Sequence, residues 1–146
     1  MNLSKNCKIS HAITVTAGAA GATDIEGTTL DMAGYESVLI VVTFGAITTN
    51  AVTSIKAQQG AASNLSDAAD LLGTSQTIAD NSDEKTFYID LVKPTERYVR
   101  LYVDRATQNA VVASAHYIQY GCRNAPPSHG SNVSGETHIS PAEGTA

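Results

Sequence analysis

Between residues 96 and 121 apolar and polar positions alternate. Val99, Leu101 and Val103 take one parity and Tyr98, Arg100 and Tyr102 the other, and a period of two sends the two sets to opposite faces of a strand. After Asp104 come the turn-prone Thr107 and Asn109, and residues 110–120 run extended again, rich in Val, Ile, Tyr and small side chains. The economical reading of the stretch is a hairpin.

The same period recurs upstream. Residues 8–16 alternate Ile9, His11, Ile13 and Val15 against Ser10, Ala12, Thr14 and Thr16, which predicts a strand with His11 on its buried face as a hydrogen-bonded, structural histidine. The AGAAGA run at 17–22 has no bulky group and predicts a flexible connection; no GK[ST] follows it, so a phosphate cradle is excluded. Residues 23–32 predict a second extended piece, and Ala33-Gly34 turns the chain into 35–47. There Val38 to Val42 is apolar on both parities, as in a strand at mid-sheet. A turn at 48–50 leads to a weaker strand that ends at Gly60.

From 60 to 84 the rhythm breaks. Ser66 is placed to N-cap a short helix over 67–72, with Asp67 and Asp70 toward its positive end and Gly73 just beyond it. A short strand at 74–79 and a solvated acidic turn at 80–84 follow; the turn lacks the spacing of a calcium loop. Residues 85–92 then send Phe87, Ile89 and Leu91 inward against Tyr88 and Asp90, and Lys93-Pro94-Thr95 turns toward the central stretch. Seven or eight strands separated by turns predict an all-β chain with a β-sandwich or jelly-roll-like body over 1–120, carrying one short helix in a long loop.

Composition sharpens this picture. Aromatic residues make up 5% with no Trp, and the abundant small and β-branched residues suit thin layers between sheets. A chain of 146 residues buries roughly 70% of its unfolded surface, so neither a disulfide nor a metal is required for a core. Cys7 and Cys122 flank the first and last strands and read as a reduced pair. A net charge of −5 with no basic cluster argues against nucleic acid as a partner. His11 and several hydroxyls interrupt the N-terminal apolar positions, so neither a signal nor a membrane span is expected.

At 121 the composition changes. Residues 121–146 contain three of the four prolines, and Val133 and Ile139 are their only branched aliphatics. Such a segment cannot offset its own ordering entropy, which predicts an extended C-terminal arm. If the arm orders along a neighbour, Pro126 and Pro127 stiffen its exit and Val133 and Ile139 anchor it.

No GxSxG, HExxH, CxxC, P-loop or dinucleotide pattern occurs, and His11, His116, His129 and His138 are dispersed. No enzyme activity, cofactor or metal is expected. The candidate contact residues are Tyr98, Arg100 and Tyr102, with Arg105 at the strand end and Arg123, Pro126, Pro127, Val133 and Ile139 on the arm. Tyr and Arg provide large contact areas with polar tips, although a merely wet sheet face has the same composition.

Four stretches carry a resemblance: SNLSDAADLLGTSQTIAD (63–80), ERYVRLYVDRATQNAV (96–111), IQYGCRNAP (118–126) and VSGETHISPAEGTA (133–146). Together they resemble a family of small virion proteins of tailed bacteriophages, whose assigned members are similar to head decoration or cement proteins. Cys122 departs from the family pattern, in which a small residue or proline is common. The resemblance implies a β-sandwich that binds the outer surface of the major capsid protein, often as a homotrimer at threefold positions. It also implies placement on the capsid exterior after synthesis in the host bacterial cytoplasm. Two other readings stay open. One is a head-to-tail connector or minor tail component; the other is a carbohydrate-binding β-sandwich for host attachment, with Tyr35, Tyr88, Tyr98, Tyr102, Tyr117 or Tyr120 stacking on sugars.

Overall fold

The structure is a computed structural model that describes residues 2–145; Met1 and Ala146, which close the expected body and arm ranges, lie outside the described residues. A 3₁₀ turn at Leu3–Lys5 precedes β1 (Lys8–Ile13), β2 (Ile25–Glu26), β3 (Leu30–Asp31), β4 (Ser37–Ile47) and β5 (Val52–Gly60). Then come β6 (Ala69–Asp70), β7 (Gln76–Ile78), β8 (Thr86–Val92), β9 (Tyr98–Ala106) and β10 (Ala110–Tyr120). They form two antiparallel sheets. The first runs β1-β10-β4-β8; the second runs β2-β9-β5-β6, with β3 also on β9 and β7 also on β5. Among the described residues no helix is long and apolar enough to cross a membrane.

Alternation builds the core as expected along β9, where Val99, Leu101 and Val103 are all fully buried. Val38, Ile40, Val42 and Phe44 of β4, Ile55 and Ala57 of β5, and Ile89 of β8 complete one shared cluster with Ala115 and Tyr117 of β10. As expected, β4 lies inside its sheet, between β10 and β8.

The expected hairpin is corrected. β9 and β10 belong to different sheets, and residues 107–109 carry the chain from one to the other. Arg105 holds this crossover: its Nη1 donates to the carbonyls of Ala19 and Ala110, both at 2.8 Å, and its Nε to the carbonyl of Thr23 at 2.7 Å. Thr107 takes the left-handed conformation at φ 70° that turns the chain. The 17–22 run is likewise no loose connection, because Val112 N–H donates to Gly18 O (2.8 Å) and Ala110 N–H to Gly21 O (2.9 Å).

Two further expectations change. No helix forms over 67–72; the Asp67 carboxylate instead accepts the Ala61 and Ala62 N–H groups, and Leu65 adopts φ 52°. Ala69–Asp70 then pairs with Gln58 and Gln59 at the sheet edge, a better use of its backbone groups than one isolated turn. In β1 the facing is inverted. Ser10 pairs with the buried Tyr117 and points inward with Ala12, while Ile9 and His11 face outward; a register shift between His11 and Ile13 returns Ile13 to the core, and Val15 is exposed.

One hydroxyl ties the layers together. β2 and β3 both pair with β9 but leave Gly27 to Thr29 between them, so the Leu101 N–H there has no strand partner. Tyr117 reaches across from the first sheet, accepting that N–H at 2.8 Å and donating to Thr28 O at 2.9 Å. Burial pushes its phenol far above the ordinary tyrosine value, so it stays protonated and able to donate. Gly27 is required beside it: a Cβ there would meet Leu101 O at 2.6 Å and the phenol oxygen at 3.0 Å. Replacing Tyr117 by Phe should therefore keep the fold but lower stability by about 1–3 kcal/mol, since a buried N–H loses its acceptor. Denaturant unfolding at unchanged m-value measures this; a loss under about 0.5 kcal/mol would show that the hydroxyl is dispensable.

Candidate functional site: two sheet faces and an arm

The register of the second sheet does gather Tyr98, Arg100 and Tyr102 on its outer face, where Gly60, Gln58 and Lys56 of β5 stand opposite them. The polar tips of Arg100 and Tyr102 are already engaged, and the Arg97 guanidinium lies 5.3 Å from the centre of the Tyr98 ring. Arg100 donates from Nη1 and Nη2 to both Glu26 carboxylate oxygens (2.7 and 3.2 Å) and from Nε to Gln58 Oε1 (2.7 Å). Tyr102 Oη donates to Asp24 at 3.1 Å. Lys56 Nζ lies 4.8 Å above the Tyr102 ring and bridges Asp70 (3.0 Å) and Asp104 (3.6 Å). Arg97 grips Asp31 through two 2.9 Å bonds. The electrostatics follow. Hydrogen bonds from Gln58 and then Lys56 hold the Asp70 carboxyl below the usual aspartate value, and the bond from Arg97 does the same for Asp31. Acid and base are matched pair by pair, so a partner seated here would have to break bonds that already exist.

Arg105 is the clearest departure from the expected contact set. It is 6% exposed and shares the parity of Val99, Leu101 and Val103, so it points into the core end and not toward a partner. Burial pulls its guanidinium below the ordinary arginine value, with the Asp24 charge opposing. Tyr117, one of the tyrosines considered for sugar stacking, is also withdrawn, at 1% exposure.

The outer face of the first sheet, which holds Tyr88 and Tyr120 of the tyrosines considered for sugar stacking but none of the expected capsid-contact residues, has a different character. Ile9, Ile118, Leu39 and Asp90 form one row across β1, β10, β4 and β8; His11, His116, Val41 and Tyr88 form the next. A third row holds Ser114, Thr43 and Thr86. Among the described residues of these rows Asp90 alone carries a formal charge, and it accepts the Tyr120 hydroxyl at 2.7 Å. The two imidazole rings meet edge to face with centroids 5.1 Å apart, and Tyr88 is 65% exposed. Burial, and then the nearby His11, pull His116 below its ordinary 6.5. At one end a mainly apolar groove of about 440 Å³ is lined by Leu3, Cys7, Leu39, Ile118 and Tyr120, with Asn6 and Asp90 as its polar members. Both cysteines are free, and burial followed by the neighbouring Cys122 pushes the Cys7 thiol up, away from reactivity.

The arm borders this same sheet. Gly121 adopts φ 66°, and the Arg123 N–H donates to Gly34 O at 2.9 Å, the last backbone bond to the body among the described residues. Pro126 and Pro127 then turn the chain back along β1, the sheet's edge strand. Ile9 N–H donates to His129 Nδ1 at 3.2 Å, and the Ser4 and Thr137 hydroxyls sit 2.7 Å apart. Lys5, Ile9, Pro127, Val133 and Glu136 line a cavity of about 590 Å³ between arm and body. Pro127 and Val133 are half-buried; Arg123, Pro126 and Ile139 are exposed, Ile139 at 96%, so Val133 anchors the arm and Ile139 does not. Each of the two bonds stabilises by about 1 kcal/mol, whereas each ordered residue costs about 1–2 kcal/mol, so the arm is held only marginally. No family model, curated protein or solved structure matches the chain.

Two predictions separate frame from surface. Arg105→Ala strands three carbonyls and opens a cavity, and should lower unfolding stability by about 3 kcal/mol or more. Arg97→Ala, which removes an exposed ion pair to Asp31, should cost much less than that and preserve the β circular dichroism. Comparable losses from the two changes would contradict this division. For His116, an NMR titration should give a midpoint below 6.5 that moves up, toward 6.5, in His11→Ala. The folded value lies below the unfolded one, so the unfolded chain takes the proton first. This histidine therefore subtracts stability as pH falls from about 6.5 to its folded midpoint, and subtracts no more below that.

Proposed function

We propose that the chain is a head decoration, or cement, protein of a tailed bacteriophage, bound as a homotrimer to the outer surface of the major capsid protein lattice. The four stretches that resemble small virion proteins support this reading, and they fall on structurally distinct parts: the 60–80 loop, β9 with its crossover, the exit of β10, and the arm. The strand orders β1-β10-β4-β8 and β2-β9-β5-β6 also suit it. With the connections passing repeatedly from sheet to sheet, we read them as a jelly roll, an architecture common in viral shells and lectins. Fold alone assigns no task.

The observation that carries the proposal is the adjacency of an almost uncharged sheet face to a marginally held arm. An uncharged, partly apolar face loses little on desolvation against protein, and an arm with few bonds of its own gains most by lying on a neighbour. Bound across neighbouring capsid subunits, the protein adds contact area that exists only in the assembled lattice. A ligand that binds only the assembled state stabilises it by mass action. No chemical step is involved, and the site of action is the virion exterior.

The test uses heads of the phage that encodes the chain. The full-length protein should co-sediment with them at hundreds of copies per particle; six or twelve copies would point to a connector, and no binding would sink the decoration reading. A chain ending at Asn124 should keep its β circular dichroism and melt within a few degrees of the full chain, yet bind at least about tenfold more weakly, roughly 1.4 kcal/mol. Equal binding by the shortened chain would remove the arm from the contact.

A further inference from the structure

We infer that the seat of the arm along β1 is an exchange site: it accepts the arm of a second copy of this chain, so that the arms link the oligomer in a closed ring. The inference deepens the decoration reading and rests on it only for the setting, since arm exchange is a property of the chain itself.

Four observations converge. First, β1 is an edge strand, paired with β10 on one side only, and edge strands present backbone groups to whatever chain comes alongside. The Ile9 N–H on that strand is taken by His129 Nδ1, a contact that depends on where the ring sits and not on which copy supplies it. Second, the seat extends well beyond that bond. Ser4 meets Thr137 at one end, Lys5, Ile9 and Pro127 flank Val133 in the middle, and Asn132 reaches a cleft beside Lys8, His11 and Thr28. Lys5 of the seat and Glu136 of the arm line the same cavity, so opposite charges meet there.

Third, the body ends at a defined point. The Arg123 N–H bond to Gly34 O fixes the exit, and between it and His129 no described backbone hydrogen bond ties the chain down. This leaves a short, proline-stiffened connection able to point the arm at its own body or at the next one. Fourth, the contacts are the same in both arrangements. Exchanging an identical element between copies replaces each intramolecular contact with its intermolecular twin, so association requires no new interface to be designed. It also suits a chain of net charge −5, because a slender strap joins bodies that repel one another without pressing like-charged surfaces together. Every copy both gives and receives an arm, and this head-to-tail arrangement closes into a ring when the rotation per copy permits.

The experiment uses the 2.7 Å spacing of the Ser4 and Thr137 hydroxyls. Full-length chains carrying either Ser4→Cys, with a size tag, or Thr137→Cys, without one, are co-expressed in a Cys122→Ser background and oxidised under mild conditions. A disulfide between positions 4 and 137 then forms only between copies. The expected result is a mixed tagged–untagged covalent dimer, absent when either variant is expressed alone. The double variant Ser4→Cys/Thr137→Cys should give covalent rings that stop at one size. Circular dichroism of each variant confirms that it is folded. The inference is overturned if the double variant forms only internally closed monomers and the mixture gives no mixed species, both free and on phage heads. It is overturned equally if no bond forms, because the seat is then vacant. Capsid co-sedimentation is scored separately. Rings that fail to bind heads would defeat the decoration reading and leave exchange standing, whereas internally closed monomers that bind heads would do the reverse.

Discussion

One phenol hydroxyl, on Tyr117, settles how the two sheets are spaced and joined. The second sheet receives the chain in two short pieces, β2 and β3, and the interval between them would leave a buried Leu101 N–H without a partner. A hydroxyl arriving from the opposite sheet fills that interval, and several other features follow from the need to admit it. Position 27 is glycine, and Ser10 and Ala12 are small where they face Tyr117. Thr28 also returns two hydrogen bonds, from its N–H and its hydroxyl, to Ala12 O of β1. Burying a polar group is costly unless it is satisfied, and here satisfaction is what holds the layers in register.

The second buried polar anchor, Arg105, works at the other end of the body on the same logic. Its donors consume carbonyls of the 17–23 segment and of Ala110, places where the backbone leaves one sheet for the other and ladder bonds cannot form. Both ends of the core are thus closed by one long polar side chain, which frees the two outer faces to differ. One is a lattice of matched charges. The other is nearly neutral, and the arm runs beside it.

The alternation of β9, the inward set of β8 and the mid-sheet position of β4 were all legible in the sequence, because each is a property of one strand. What was not legible depends on partners. Consecutive strands with a polar connection look alike whether they pair or part, so β9 and β10 read as a hairpin; the distinguishing contact, Arg105 to Ala110 O, is tertiary. The facing of β1 was misread because Ile9 and His11 outweigh Ser10 and Ala12 in bulk, and only Tyr117, more than a hundred residues away, explains why small residues belong inside. Arg105 itself was recoverable: its parity with Val99, Leu101 and Val103 marks it as inward-facing. The helix over 67–72 failed because Asp67 found backbone donors at Ala61 and Ala62 outside any helix. That no strand or helix forms among the described residues after 120 was legible from composition, but where that segment lies was not.

The position of β10 has a consequence for biogenesis. It lies between β1 and β4, and β1 has no other partner in the sheet. The strand that completes the first sheet is therefore the last of the ten described strands in chain order, and Tyr117 and Ala110 arrive with it. Until then the N-terminal strand waits unpaired, and neither polar anchor has its full set of partners. The N-terminal strand and the mid-sheet strand β4 thus stay unjoined until residues 110–120 have been made, and both polar anchors are completed by that same segment.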